Sequence, residues 1–282
     1  MQHNADREQR LISRRVLIIA CTLAMVSGCA RSDRNGTMNT TPSTQLTRGE
    51  WDTAAARAVY FGHQSVGDNM LDGLRQIADA ERWPQLRITE VAASTTGVRP
   101  ALFHGKIGQN GDPVSKVRAF REAIDGGLGN SVDIAVMKFC FWDIRHETDI
   151  DAVFSEYKST MNDLAQRFPQ VTFVHATVPL VAADMDWKAR VRRLMGMTTP
   201  TDIDNRTRER LNERIRSEYA SRGIVLDIAR AEMDESVASG APALAASLSS
   251  DGAHLNNPGR RRVGAAFVKA LSAAAQRVRN AS

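Results

Sequence analysis

A chain of 282 residues, 43% hydrophobic and 24% charged, has the balance of an ordinary globular protein and suffices for one α/β domain with a sizeable core. Its formal net charge is only +5, and the basic residues are interspersed with Asp and Glu, which excludes the clustered basic face of a nucleic-acid-binding protein. No apolar run in the body approaches the roughly 20 residues of a membrane span, so the body reads as soluble.

The chain starts with a different composition. Arg14 and Arg15 precede the apolar run Val16 to Val26, and Ser27-Gly28-Cys29 follows; this charged, apolar, small-residue order is that of a secretory signal over residues 1–28. Val26-Ser27-Gly28-Cys29 resembles the lipobox of bacterial lipoproteins. In that motif small side chains admit the peptidase and the thiol accepts a diacylglyceryl thioether, so the resemblance implies lipidation at Cys29. It also implies a membrane-anchored lipoprotein of the bacterial cell envelope that faces the periplasm. Acyl chains contribute ~0.8 kcal/mol per buried methylene, enough for a lasting anchor when two or three are present. Residues 29–50, rich in Thr, Ser, Asn and Arg, read as the lipidated Cys and a flexible tether. Cys21 falls in the signal, which leaves Cys140 in an apolar run as a buried structural thiol rather than half of a disulfide.

Residues 51–282 read as one domain in which short β-branched or apolar runs alternate with segments of helical period, the pattern of crossover units and a mostly parallel sheet. The expected strands are Ala58 to Gly62, Leu86 to Val91, Val132 to Phe139, Val171 to Thr177 and Ile224 to Asp227. The expected helices are Val66 to Ala80, Pro113 to Ile124, Asp151 to Phe168, Asn205 to Arg222 and Pro258 to Val278, the second starting on an Asp112 cap with Pro113 in the first position. Pro200 reads as part of a surface loop.

Two segments carry chemistry. Ser249-Ser-Asp251-Gly-Ala-His254 precedes the last helix; an Asp three residues before a His can accept from one imidazole nitrogen and leave the other free to take a proton. The same spacing also suits a loop merely held by side-chain hydrogen bonds. At the end of the first strand, Gly62-His63-Gln64-Ser65-Val66-Gly67 puts a serine on a strand-to-helix turn, its hydroxyl exposed and its N–H pointing into the crevice.

A serine after the first strand with an Asp-x-x-His before the last helix is the chain order of the SGNH (GDSL-like) hydrolases, which residues 58–282 resemble. The resemblance implies a flavodoxin-like three-layer α/β/α sandwich with a mostly parallel five-stranded sheet. It makes Ser65 the nucleophile, His254 the base and Asp251 its orienter, with no cofactor. Two departures mark a divergent branch: the Gly-Asp-Ser start is replaced by Gly62-His63-Gln64-Ser65, and Cys140-Phe-Trp142-Asp143 stands where the family's third block carries an oxyanion-hole Asn. A replacement is offered by Gly105-Lys-Ile-Gly108-Gln-Asn110-Gly-Asp112. The expected oxyanion hole is the N–H of Ser65, the N–H of Gly108 and the amide of Asn110, though these residues also make a glycine-rich turn with a helix cap.

His63, His104 and Asp143 are candidate substrate contacts, with a structural role at the strand end as the other reading of His63 and a role in holding the loops around the site together as the other reading of Asp143, whereas His175 reads as a core histidine. The six His residues show no metal-ligand spacing, so no metal site is expected. The functional expectation is a serine esterase acting through an acyl-enzyme on acyl or O-acetyl esters of an envelope carbohydrate or lipid. A non-catalytic SGNH-like binding or scaffold lipoprotein and an envelope O-acyltransferase are the alternatives.

Overall fold

The computed structural model describes residues 45–91, 99–184, 186–221, 223–233 and 242–281. The signal segment, Cys29 and most of the tether lie outside the described residues. One compact unit spans Ser43–Ser282. It opens with α1 (Arg48–Ala55), whose Thr47 and Glu50 form a capping box, so regular structure begins slightly before the expected boundary at 51.

Among the described residues the sheet is parallel throughout and contains six strands, one more than expected. In chain order they are β1 (Ala58–His63), β2 (Ile88–Glu90), β3 (Ala101–Lys106), β4 (Ile134–Met137), β5 (Thr172–Ala176) and β6 (Ile224–Leu226), and in space β2-β3-β1-β4-β5-β6. The strand missing from the sequence reading is β3. Its His104, Gly105 and Lys106 broke the apolar run, yet it pairs with β1 along its whole length, Ala58 beside Ala101 through His63 beside Lys106. Without the short edge strand β2 the order is flavodoxin-like. Its switch point lies between β1 and β4, where a crevice opens outside the strands' carboxyl ends.

Helices cover both faces, and the side-chain period of two sorts the strands between them. Val59, Phe61, Ile134, Val136 and Val174 point into one core with α1, α2 (Ser65–Glu81), α7 (Ile228–Glu232) and α8 (Asn257–Ala281). Tyr60, Ala135, Met137 and Phe173 point into the other with α3 (Pro113–Asp125), α4 (Ile150–Arg167) and α6 (Pro200–Tyr219). Central strands buried on both faces read as continuous apolar runs, which is why β1, β4 and β5 were legible.

Two further corrections concern helices. Pro200 is not in a loop: it is the first residue of α6, after a Thr199 cap whose hydroxyl accepts from Asp202 N–H, the place where a missing N–H costs nothing. A helix absent from the sequence reading, α5 (Trp187–Leu194), lies between β5 and α6. No described helix is long and apolar enough to cross a membrane.

Candidate active site

Ser65 is the first residue of α2, directly after β1. At that position its N–H has no carbonyl one turn back to bond, and the positive end of the helix dipole lies at the hydroxyl. His254 comes to it from the loop before α8, its Nε2 3.0 Å from Ser65 Oγ, and its Nδ1 is 2.8 Å from Asp251 Oδ2. A carboxylate only accepts, so Nδ1 carries the proton and Nε2 is left as the acceptor facing the serine.

The acid–base loop is built locally. Asp251 Oδ1 accepts the N–H groups of His254 (2.7 Å) and Ala253 (2.9 Å), and these two bonds, with the imidazole, hold its carboxyl well below the usual carboxylate range. Ser249 Oγ donates to His254 O at 2.6 Å and accepts from Gly252 N–H at 3.0 Å. The loop is also tied to the helix of the nucleophile: Leu255 N–H donates to Asn69 Oδ1 at 3.0 Å. Asn69 lies one helical turn beyond Ser65, and the sequence reading missed it; the Ser-x-x-x-Asn spacing on one helix face was the available signal.

The glycine-rich loop after β3 adjoins the same turn, because Gln64 Nε2 donates to Ile107 O (2.8 Å) and Gly108 O (3.2 Å). Gly108 has φ +54°, and a Cβ there would lie 2.6 Å from Lys116 N, so only glycine lets the loop settle on the start of α3. Lys116 is fully buried; its ammonium donates to Asn110 Oδ1 at 2.8 Å and pairs with Asp143 Oδ2 at 3.0 Å. An ammonium has only donors, so it fixes the Asn110 amide with oxygen inward and leaves both Nδ2 hydrogens for another acceptor.

Asp143 takes no part at the surface. Its carboxylate accepts Gly111 N–H (2.9 Å) and Cys140 N–H (2.6 Å), and it is 2% exposed. His63 is fully buried as well, its Nδ1 2.9 Å from Gln64 O and its Nε2 3.0 Å from His104 Nδ1, with the ring packed where a Cβ on Gly67 would lie 2.3 Å away. Of the two readings of His63 and Asp143, substrate contact is therefore corrected and the structural role stands: both side chains are enclosed by protein groups and brace the loops. Burial, outweighing the nearby Asp68, lowers the His63 pKa to about 4. His104 is half-buried and is shifted down by the same cause.

The β4 and β5 loops hang from α6. Arg208 Nε donates to Phe141 O (2.9 Å), Asn205 bonds both polar backbone groups of Val181, and Asn212 bonds both of Val178. These buried side chains share one helix face and satisfy backbone groups that no strand reaches. Phe141, so held, meets the His254 ring edge-on at 5.9 Å.

Of the remaining candidates, Cys140 is buried, and His175 stacks on Tyr219 and bonds the Tyr157 hydroxyl at 2.9 Å inside the core. Among the described residues His146, Glu147 and Asp204 form the one group with atoms close enough to share a metal ion. Arg145 already lies 3.4 Å from Glu147 and 3.8 Å from Asp204, where a cation would sit.

No family model and no curated protein matches the sequence. Solved structures do. Among the matching structures are ones described as a GDSL-like lipase and as acetyl or carbohydrate esterases. One is a protein assigned as a GDSL-like lipase from Parabacteroides merdae, at 15% identity and TM-score 0.47 over 77% of this chain and 95% of that one. Another is a carbohydrate esterase of family 3 from Talaromyces cellulolyticus, at 12% identity and TM-score 0.46 over 80% and 98%. A mutant acetyl esterase solved with an acetate ion gives the same four values, 12%, 0.46, 80% and 98%. At such identities the likeness is one of chain path alone, and the chemistry has to be read from the side chains.

Proposed function

We propose that the protein is a serine ester hydrolase with Ser65 as nucleophile, His254 as general base and acid, and Asp251 as orienter. The observation that carries the reading is the continuous relay from Ser65 Oγ to His254 Nε2 and from His254 Nδ1 to Asp251, at 3.0 and 2.8 Å, assembled from residues 189 positions apart. In the first half-reaction Ser65 Oγ attacks the ester carbonyl as His254 Nε2 takes its proton, and the imidazolium is stabilised by Asp251. The oxyanion meets the N–H of Ser65, the N–H of Gly108 and the Nδ2 of Asn110. Collapse expels the alcohol, which receives the proton from His254. Water then repeats the sequence on the acyl-enzyme, releasing the acid and restoring Ser65.

The substrate class we infer is an acyl or O-acetyl ester on an envelope carbohydrate or lipid. Two features support it: the lipoprotein-like amino-terminal sequence, and the openness of the site, whose His254 and Asp251 side chains are 41% and 54% exposed. An open serine suits an ester presented on a large molecule. The test is hydrolysis of p-nitrophenyl acetate, expected to fall at least about 10⁴-fold in Ser65→Ala; equal rates in the two proteins would refute the assignment.

A further inference from the structure

Helix α5 is the one described helix whose apolar stripe faces outward. Trp187 is 70% exposed, Val191 44%, Leu194 90% and Met195, just past the helix end, 67%. At 3.6 residues per turn these four positions fall within an arc of about 100°. Ala189 is nearly opposite that arc and is buried at 4% exposure, so the helix rests on the body by its small side and presents its large apolar side chains to the outside. Contiguous exposed apolar groups of this size are uncommon on a soluble surface and mark a docking face.

The charges indicate what docks. The helix contains Lys188, Arg190, Arg192 and Arg193 and no acidic residue, and the exposed Lys188 and Arg192 flank the apolar arc. A two-fold contact between copies would set these cations against each other. An anionic surface with an apolar interior accepts both features at once, tryptophan being suited to the boundary between them. We propose that α5 lies in the headgroup layer of an anionic phospholipid bilayer, with Trp187, Val191, Leu194 and Met195 inserted and Lys188 and Arg192 on lipid phosphates.

The segment leading into α5 is joined to the acid–base loop: Ala182 N–H donates to Gly252 O at 2.7 Å and Ala182 pairs with Leu244. Only four residues lie between Ala182 and Trp187, at most ~18 Å of chain. Docking through α5 therefore sets the bilayer beside the carboxyl edge of the sheet, whatever reaction occurs there.

The experiment uses the unit Ser43–Ser282, which contains the whole sheet and both cores and so carries the fold by itself. It is sedimented with vesicles of phosphatidylcholine containing phosphatidylglycerol, and with phosphatidylcholine alone. The expected result is binding to the anionic vesicles that added salt weakens. Trp187→Ser with Leu194→Ser, and separately Lys188→Glu with Arg192→Glu, each lower that affinity at least about tenfold with an unchanged melting temperature. Absence of binding to anionic vesicles, or full binding by either double variant, overturns the proposal. So does a concentration-dependent dimer that the Trp187 and Leu194 substitutions abolish, since the face would then belong to a second copy.

Discussion

The acid–base loop, Ser249 to Leu255, and the glycine-rich loop, Gly105 to Asp112, both adjoin the Ser65 turn but are held in opposite ways. The first is part-exposed and is shaped by hydrogen bonds between residues no more than five apart, with single backbone ties from Leu255 to Asn69 and from Gly252 to Ala182 anchoring it to the body. The second depends on a buried ion pair, Lys116 with Asp143, whose members come from α3 and from the turn after β4. Short-range hydrogen bonds in water orient a side chain at little energetic consequence to the fold. A buried pair does both, because removing one member strands the other charge away from water.

The difference predicts different phenotypes on the two sides. Asp251→Asn should lower turnover of p-nitrophenyl acetate by about 10³- to 10⁴-fold, through loss of the imidazole's orientation, with a melting temperature close to that of the unmodified protein. Lys116→Met should lower turnover by ~10²- to 10³-fold, the usual cost of one oxyanion donor, and in addition destabilise the fold by about 3 kcal/mol by leaving Asp143 unpaired. If Lys116 acts through Asn110, adding Asn110→Ala to Lys116→Met costs little further activity; multiplicative losses in the double variant would separate the two residues.

The smallest expected effect is one of pH and concerns His63 under the Ser65 turn. Burial lowers its pKa from the ordinary 6.5 to about 4, so below pH 6.5 the unfolded chain binds a proton that the folded protein refuses. The stability lost is nil above that pH and grows to at most about 3 kcal/mol as pH falls to 4. Denaturant midpoints measured across this range check the point: the His63 share of the slope should disappear in His63→Gln.

The same contrast explains what the sequence could disclose. Ser65 on its turn and Asp251 three residues before His254 are local patterns, and β1, β4 and β5 announce themselves as apolar runs because both of their faces are buried. Strand β3 is hidden by His104, Gly105 and Lys106 at its end, and Pro200 is ambiguous because a helix-initial proline and a loop proline look alike in sequence. The support of the site is non-local. Nothing in the sequence pairs Lys116 with Asp143, or Asn69 with Leu255, until the sheet order brings the loops after β1, β3 and β4 to one edge. The departure at Cys140 to Asp143 from the SGNH pattern was visible as a missing Asn, and Asp143 as a candidate loop brace, whereas its buried partner Lys116 was not.

The central claim is that Ser65 is an activated nucleophile. It is tested most directly by treating the folded protein with a fluorophosphonate and mapping the modified residue by peptide mass spectrometry. The account predicts phosphonylation of Ser65 that is lost in His254→Ala. A folded protein that leaves Ser65 unlabelled, or that labels it equally well without His254, would contradict it.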